Sequence, residues 1–199
     1  IKRRIYGITH TIHHFTGCRP SELLAIRWCD IGDVDKDKKG FGKDKIIKIS
    51  AEVSKTGTSR EVVAPISNQL ETLKKWYNQL GFKVEPNSTN YVFLKCTETA
   101  IRNNEPKTDV ELSKRIKKVY QGANKDGYIN LNGRNITNYS ARHHYITQSL
   151  LRGVDIFTLS INAGTSVKYI EETYAKSLKT RMVSDDITQQ LGVHRVKNP

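Results

Sequence analysis

Histidines near the start of the chain have the first spacing that could do chemistry. His10 and His14 are four positions apart, so a helix would place both imidazoles on one face, an arrangement that can bind zinc. No HExxH glutamate and no matching set of cysteines or carboxylates accompanies them. Together with His13 they are better explained as helix-surface residues or DNA-backbone contacts. With no Walker loop and no dinucleotide glycine fingerprint either, the sequence predicts no metal and no other cofactor.

Positive charge is the second feature with chemical consequences. The 199 residues include 33 Lys and Arg against 20 Asp and Glu, a formal net charge of +13. On a folded domain this excess favours a polyanionic partner, chiefly nucleic acid and less so anionic lipid. Solubility alone is the alternative explanation, because charge by itself specifies no site.

The composition predicts one folded domain in a reducing compartment. Hydrophobic residues make up 37% of the chain, enough for a core, and no apolar run approaches the roughly 20 residues that cross a bilayer. The cysteines at positions 18, 29 and 96 are too few and too irregular for a disulfide scaffold, so we expect the cytoplasm. The basic, amphipathic start is not a signal peptide, and Ile1 in place of Met suggests a piece of a longer chain.

Apolar periodicity predicts most of the helices that must position a site. An amphipathic helix over residues 4–16 ends at Gly17, and Pro20 opens a second helix because proline is well tolerated at a first helical position. The periodicity predicts further helices at residues 137–152, 155–161 and 166–176.

Capping-box spacings predict two more helices. Asn68 with Glu71 opens one, and Thr108 with Glu111 opens the other. The predicted inward stripe of the first consists of Leu70, Leu73, Tyr77 and Leu80. That of the second consists of Leu112, Ile116 and Val119.

Alternating hydrophobicity predicts a small antiparallel sheet. Residues 45–54 alternate and, after the turn SKTGTS, residues 60–66 are again extended, which indicates a β-hairpin. The predicted inward face of the first strand consists of Ile47, Ile49, Ala51 and Val53. The polar stretch 29–44 predicts a loop with a short strand at its start, and residues 91–95 form either a strand or a buried connector.

Four separated segments carry the most specific pattern. In chain order they read TGCRPSELLAIRWCDI (16–31), SKTGTSREVVAPI (54–66), NYSARHHYITQSLLRGVDI (138–156) and NAGTSVKYIEETYAK (162–176). In order and spacing they resemble the arginine box, the hairpin lysine, the His-x-x-Arg-His box and the tyrosine segment of the tyrosine recombinases, the phage-integrase type. The resemblance implies an α+β fold, mostly helical, with a small antiparallel β-sheet that carries the lysine at a hairpin.

The resemblance also implies roles for individual residues. The family's catalytic positions are matched by Arg19, Lys55, Arg142 and Tyr174. Each of them alone has an ordinary explanation, namely a surface ion pair for the first arginine, a solvated turn lysine, a helix cap or salt bridge for the second arginine, and a core tyrosine. The conjunction of four segments in family order outweighs these explanations. Glu22 and Asp30 match positions that the family uses to hold the fold.

The implied residue types suit displacement at a phosphodiester. Negative charge builds on the equatorial oxygens, and two planar, permanently protonated guanidiniums bind it in a fork that lysine cannot copy. A phenol nucleophile conserves the bond energy as a phosphotyrosine, so that one hard exchange becomes two reversible steps without ATP. By resemblance, Tyr174 would form a 3′-phosphotyrosine while Lys55 helps to protonate the departing 5′-oxygen.

Two positions depart from the family's pattern. Tyr139 stands where the first histidine of the third segment is usual, and Thr165 where a histidine or tryptophan usually sits beside the glycine of the fourth. Both can still donate a hydrogen bond to a phosphate oxygen. Proton transfer near neutral pH is less secure, because tyrosine titrates near about 10 and histidine near about 6.5. We expect slower chemistry or a different base; His143 or His144 could compensate, although neither lies at the family's base position.

The resemblance predicts a site-specific DNA recombinase, an integrase of a phage or other mobile element in the bacterial cytoplasm. Residues 1–178 would be the catalytic domain and residues 179–199 a tail or arm that docks on a neighbouring protomer. The predicted partners are double-stranded DNA, bound mainly through phosphates, further copies in a tetramer, and accessory DNA-bending or directionality factors, with no membrane.

Three alternatives remain open. The first is a catalytically weakened or inactive recombinase-like DNA-binding protein, which the substitutions Tyr139 and Thr165 favour. The second, a type IB topoisomerase or telomere resolvase, shares the chemistry. The third is a general basic nucleic-acid-binding module with chance motif matches, in which the four matched residues do not converge in space.

Overall fold

Helices dominate the computed structural model, which describes residues 2–34, 44–85 and 87–175. The helices are α1 (Lys2–Thr16), α2 (Pro20–Ala25), α3 (Ser67–Gln79), α4 (Glu98–Arg102), α5 (Asp109–Lys125), α6 (Asn138–Leu151), α7 (Ile156–Ala163) and α8 (Val167–Ile170). A π-helical turn, Glu171–Ala175, continues directly from α8. With one small antiparallel sheet, this is the predicted α+β architecture. The predicted arm, residues 179–199, and residues 35–43 of the predicted loop lie outside the described residues.

The sheet contains three strands in the order β1 (Ile31–Asp33), β2 (Lys45–Ile49) and β3 (Arg60–Ala64), all antiparallel. The predicted hairpin is confirmed, but β2 is shorter than predicted. The backbone N–H groups of Val53 and Ser54 donate to the carbonyl of Ser50, so residues 50–54 form turns instead of extending the ladder. The placement of Ala51 on the inward face was therefore wrong, and this residue is exposed.

Local signals place the ends of several helices correctly. Gly17 adopts a φ of +62° at the end of α1, and a Cβ on it would lie 2.1 Å from the ring of Tyr145 on α6, so only glycine permits this approach. The Thr108 hydroxyl caps α5 by accepting a hydrogen bond from the Glu111 N–H at 3.2 Å, as predicted. The predicted cap at Asn68 was wrong, because α3 already begins at Ser67.

Two further expectations are changed by packing. On α5, Leu112 and Ile116 are buried as predicted, but Val119 is 69% exposed because the inward stripe continues to Tyr120 instead. Residues 91–95 form a buried connector, in which the only strand-like pairings among the described residues are single bridges, Arg27 with Tyr91 and Leu94 with Pro106.

Two apolar clusters divide the interior. The larger one packs α1, α2, the sheet, α3 and α5 around the connector. The smaller one joins α6, α7, α8 and the π-helical turn, and consists of Ile146, Leu150, Leu159, Ala163, Ile170 and Tyr174. None of the described helices has the length and hydrophobicity needed to span a bilayer.

Candidate active site

The turn between α1 and α2 positions Arg19. Pro20 starts α2, which leaves Arg19 at the N-cap with an extended backbone. Its Nη1 donates to Glu22 Oε1 at 2.9 Å, and its Nη2 donates to the carbonyl of Gly164 at 2.8 Å. The guanidinium thus connects the start of α2 to the end of α7, although 145 positions separate the two residues.

A fully buried carboxylate, Glu22, holds Arg19 together with a second arginine from the sheet. Arg60 at the start of β3 donates to both carboxylate oxygens, Nη1 to Oε1 at 3.0 Å and Nη2 to Oε2 at 2.7 Å. Burial alone would raise the pKa of Glu22, but the hydrogen bonds and charges of Arg60 and Arg19 outweigh burial and lower it. Glu22 is therefore an ionised bridge between α2 and β3, a concrete form of the fold-holding role that the resemblance implied.

Sequence reasoning missed Arg60, although a signal was present. In β3, alternate residues share a face, and Val62 and Ala64 are fully buried. Arg60 is on the same side by the same alternation. A charged residue in inward register requires a buried partner, and Glu22 is that partner.

Arg142 on α6 is the most buried arginine of the site, with 2% of its surface exposed. Its Nη1 donates to two carbonyls, those of Gly17 and Ala163, each at 2.6 Å. Burial, and next the positive charge of Arg19, lower the pKa of Arg142 below the usual guanidinium value. The two guanidiniums therefore bind successive carbonyls, at residues 163 and 164.

The end of α7 is shaped to present those carbonyls. Gly164 has a φ of +65° at the C-cap, and a Cβ there would lie 2.4 Å from Cζ of Arg60. The carbonyls at a helix C-terminus carry partial negative charge, which favours guanidinium groups around them. Thr165 follows, half-buried, and its backbone N–H donates to the carbonyl of Ser160 at 3.0 Å. This places Thr165 next to the arginines without a hydrogen bond from its hydroxyl to any described residue.

Tyr174 enters from the π-helical turn. Its ring belongs to the smaller apolar cluster and it is 6% exposed, while its hydroxyl lies 2.6 Å from Nδ1 of His143. Burial raises the pKa of Tyr174 to about 12, and the charge of Arg142 acts in the opposite direction. The phenol is thus a buried core tyrosine whose hydroxyl oxygen points at a histidine beside Arg142.

Tyr139 and Lys55, the remaining two predicted site residues, are both exposed. Tyr139, at the first turn of α6, is 41% exposed, and its ring centre is 5.6 Å from that of His143. Lys55 lies in the exposed turn between β2 and β3 and forms no hydrogen bond or ion pair with the other described residues. The structure therefore brings Arg19, Arg142 and Tyr174 together, and Lys55 has no hydrogen bond or ion pair with any of the three.

The three histidines of α1 differ in burial, and none of them is fully exposed. His13 is fully buried, and its Nε2 lies 2.8 Å from the carbonyl oxygen of Cys18, where it stabilises the turn before Arg19. The expectation of a surface or DNA-contact role was therefore wrong for His13. His10 and His14 are half-buried with their Nε2 atoms 3.1 Å apart. Within residues 2–34, 44–85 and 87–175, no group of three His, Cys, Asp or Glu side chains is placed to hold a metal ion.

Comparison with known proteins places this geometry in a family. Residues 10–181 match the phage integrase family. The chain belongs to that family. The convergence of Arg19, Arg142 and Tyr174 agrees with this membership and not with a basic module that carries chance motifs. No curated protein matches the sequence closely enough to count as a relative.

Solved structures of recombinases share the fold of this phage integrase family member. XerH site-specific recombinase bound to its difH substrate, in a pre-cleavage complex, has a TM-score of 0.60 and 19% identity over 85% of this chain and 42% of that chain. Tn1549 transposon integrase with circular intermediate DNA has a TM-score of 0.58 and 20% identity over 90% and 57%. XerA recombinase has a TM-score of 0.56 and 18% identity over 93% and 62%. The chain thus spans less than two thirds of the length of these proteins.

Proposed function

We propose that this domain is the catalytic domain of a site-specific DNA recombinase that cuts and rejoins DNA through a 3′-phosphotyrosine. One observation carries the proposal. Arg19 and Arg142, 123 positions apart in the chain, bind successive carbonyls at the end of α7, and the Tyr174 hydroxyl contacts His143, the residue that follows Arg142. Two fixed cations beside a phenol match what displacement at a phosphodiester requires.

The hydrogen-bond inventory supports phosphate binding by both arginines. A guanidinium has five N–H donors. Arg19 uses two of them on Glu22 and Gly164, and Arg142 uses two on Gly17 and Ala163. No other acceptor among the described residues takes a donor from either side chain, so most of each fork remains for the oxygens of a bound phosphate.

In the proposed reaction each step forms one phosphate ester bond as it breaks another, so the bond energy is conserved. The Tyr174 oxygen bonds to phosphorus as the bond from phosphorus to the 5′-oxygen breaks, which leaves a 3′-phosphotyrosine and a free 5′-hydroxyl. Lys55 would donate the proton to the departing oxygen, for which bound DNA has to lie across the exposed β2–β3 turn. Attack by the 5′-hydroxyl of another strand then reverses the step and completes the exchange.

The predicted partners belong to the same proposal. Double-stranded DNA would be held mainly through phosphates by the basic surface, so binding would weaken steeply with salt. XerH and Tn1549 integrase were solved with their DNA, which supports DNA as the substrate. Assembly as a tetramer, docking of residues 179–199 on a neighbour, accessory bending or directionality factors, and a cytoplasmic location are proposed on the family resemblance.

A recombinase-like DNA-binding protein with weak or no catalysis is the second candidate. It is favoured by Tyr139, which is exposed, and by Thr165, whose hydroxyl has no described partner. If both family side chains act in proton transfer, their replacement slows the chemistry while binding persists.

Trapping of the covalent intermediate distinguishes the two candidates. Nicked suicide duplexes from a random-sequence pool are incubated with wild type, Tyr174→Phe and Arg142→Ala, and SDS-resistant protein–DNA adducts are counted. A recombinase gives an adduct with wild type alone. Binding of the same duplexes without any adduct supports the non-catalytic candidate.

A further inference from the structure

This inference rests on the proposed function and concerns the general base, for which this chain lacks the family's usual histidine. The contact between His143 and Tyr174 provides a candidate. The family's usual histidine is Tyr139 here, and a phenol is a poor proton acceptor near neutral pH. The attacking group nevertheless has to lose its proton, since burial raises the pKa of Tyr174 to about 12. A base must therefore lie within hydrogen-bond reach of the Tyr174 oxygen.

His143 meets the geometric requirement. Its Nδ1 lies 2.6 Å from the Tyr174 hydroxyl oxygen, with the two ring centres 5.5 Å apart. We propose that His143 is the general base of this site and that the function of the vacant family histidine has moved four positions along α6, one helical turn from residue 139 to residue 143.

The surroundings of His143 suit a base. Tyr139 and Arg142 face it from its own helix, and Tyr174 faces it from the π-helical turn. Burial, and next the charge of Arg142, lower the pKa of His143 below its ordinary value, which favours the neutral ring that can accept a proton. The ring is also exposed, so a proton that it accepts can pass to solvent.

The step balances as a proton transfer coupled to displacement. The Tyr174 O–H proton moves to His143 Nδ1 as the oxygen bonds to phosphorus and the bond to the 5′-oxygen breaks. The departing oxygen takes its proton from a separate acid, which we place at Lys55. In the reverse step the imidazolium returns its proton to the phenol oxygen as the 5′-hydroxyl attacks.

The neighbouring histidine provides a matched control. His144 is also exposed, but its ring packs edge-on against His14, at 4.9 Å between centres, and not against the tyrosine. His143→Gln keeps a hydrogen-bonding side chain of similar length but cannot accept a proton. His144→Gln makes the same chemical change one position away.

The test uses the duplex that wild type cleaves best from the nicked random-sequence pool, and measures the single-turnover rate of adduct formation against pH. Wild type and His144→Gln should slow as the pH falls through the pKa of His143. His143→Gln should be slower by about 10²-fold or more at neutral pH and lose that inflection, with unchanged affinity for the duplex.

A second duplex, with sulphur in place of the departing 5′-oxygen, separates base from acid. A thiolate leaves without a proton, so this duplex should restore Lys55→Ala and leave His143→Gln slow. Equal adduct-formation rates for His143→Gln and His144→Gln would overturn the role of His143 and leave the proposed function standing. Restoration of the His143→Gln rate by the sulphur-containing duplex would do the same. Absence of any Tyr174-dependent adduct from wild type would overturn the proposed function together with this inference.

Discussion

The two sides of the candidate site are held in different ways. On the arginine side, Glu22 cross-links Arg19 and Arg60, and all three side chains are almost inaccessible, at 12%, 0% and 10% exposure in the order Arg19, Glu22, Arg60. On the tyrosine side, Tyr174 is held by a small apolar cluster and by its contact with His143. Arg19, a proposed phosphate-binding residue, thus depends on ionic links between distant elements, and Tyr174, the proposed nucleophile, depends mainly on apolar packing. Substitutions on the first side should cost stability as well as activity, and those on the second mainly activity.

The largest stability effect is expected at Glu22. Glu22→Gln keeps the shape but leaves Arg19 and Arg60 without their counter-charge, so the free energy of unfolding should fall by about 3–5 kcal/mol. Urea unfolding measures it. The control is Glu71→Gln, which removes an exposed ion pair with Lys74 and should change little. Similar losses in the two variants would contradict the ionic cross-link.

Acidification should remove the contribution of ionised Glu22 to the free energy of unfolding. The pKa of Glu22 is lowered in the folded protein, so its ionisation stabilises the fold above the unfolded-state value near about 4.3, and this is lost as pH falls through the folded pKa. The difference in unfolding free energy between wild type and Glu22→Gln should therefore shrink on acidification. A difference that stays constant to low pH would show that charge at Glu22 is not its source.

The next largest effect is expected on catalysis at Arg142. Lysine cannot bind the carbonyls of Gly17 and Ala163 and also present a planar fork, so Arg142→Lys should slow adduct formation by about 10²–10³-fold. Single-turnover trapping on the selected duplex measures the rate. Arg152→Lys, at the exposed end of the same helix, is the control and should leave the rate unchanged. An Arg142→Lys variant as active as wild type would contradict a role for the planar guanidinium of Arg142 in catalysis.

A smaller effect is expected at Gly164. Alanine there must adopt a positive φ, at about 1–2 kcal/mol, and its Cβ must also displace Arg60. Gly153→Ala provides the control, since it has a φ of +77° but no atom within 4 Å of the added Cβ. Urea unfolding should show Gly164→Ala to be the less stable of the two, and adduct formation should slow only in that variant. Equal behaviour would mean that Arg60 adjusts without cost.

The smallest stability effect is expected on the tyrosine side. Tyr174→Phe keeps the packed ring and loses the hydrogen bond to His143, so stability should fall by only about 1 kcal/mol while the adduct disappears. Tyr169→Phe, whose ring centre lies 6.3 Å from that of Tyr174, should keep the adduct. A loss of stability comparable to that of Glu22→Gln would contradict the contrast between the two sides.

Local sequence determined much of the framework. The glycine at position 17, the proline at position 20 and the threonine cap at position 108 act within a few residues, and each ends or starts a helix where predicted. The hairpin and the four segments of the family pattern were also legible, because they depend on residue type and short spacing. The prediction was wrong at Ala51, where a local turn ends β2, and at Val119, where the buried stripe of α5 continues to Tyr120 instead.

Only the tertiary structure decided how the site is assembled. The pairing of Arg60 with Glu22, the convergence of the arginines on the end of α7 and the contact of His143 with Tyr174 each join elements far apart in the chain. Lys55, which the sequence grouped with these residues, is exposed and forms no hydrogen bond or ion pair with them in the described part of the chain. The sequence determined which chemical groups are available, because that depends on residue type alone. Which of these groups come into contact depends on how the two apolar clusters pack, because a charged group that becomes buried is stable only when it is paired.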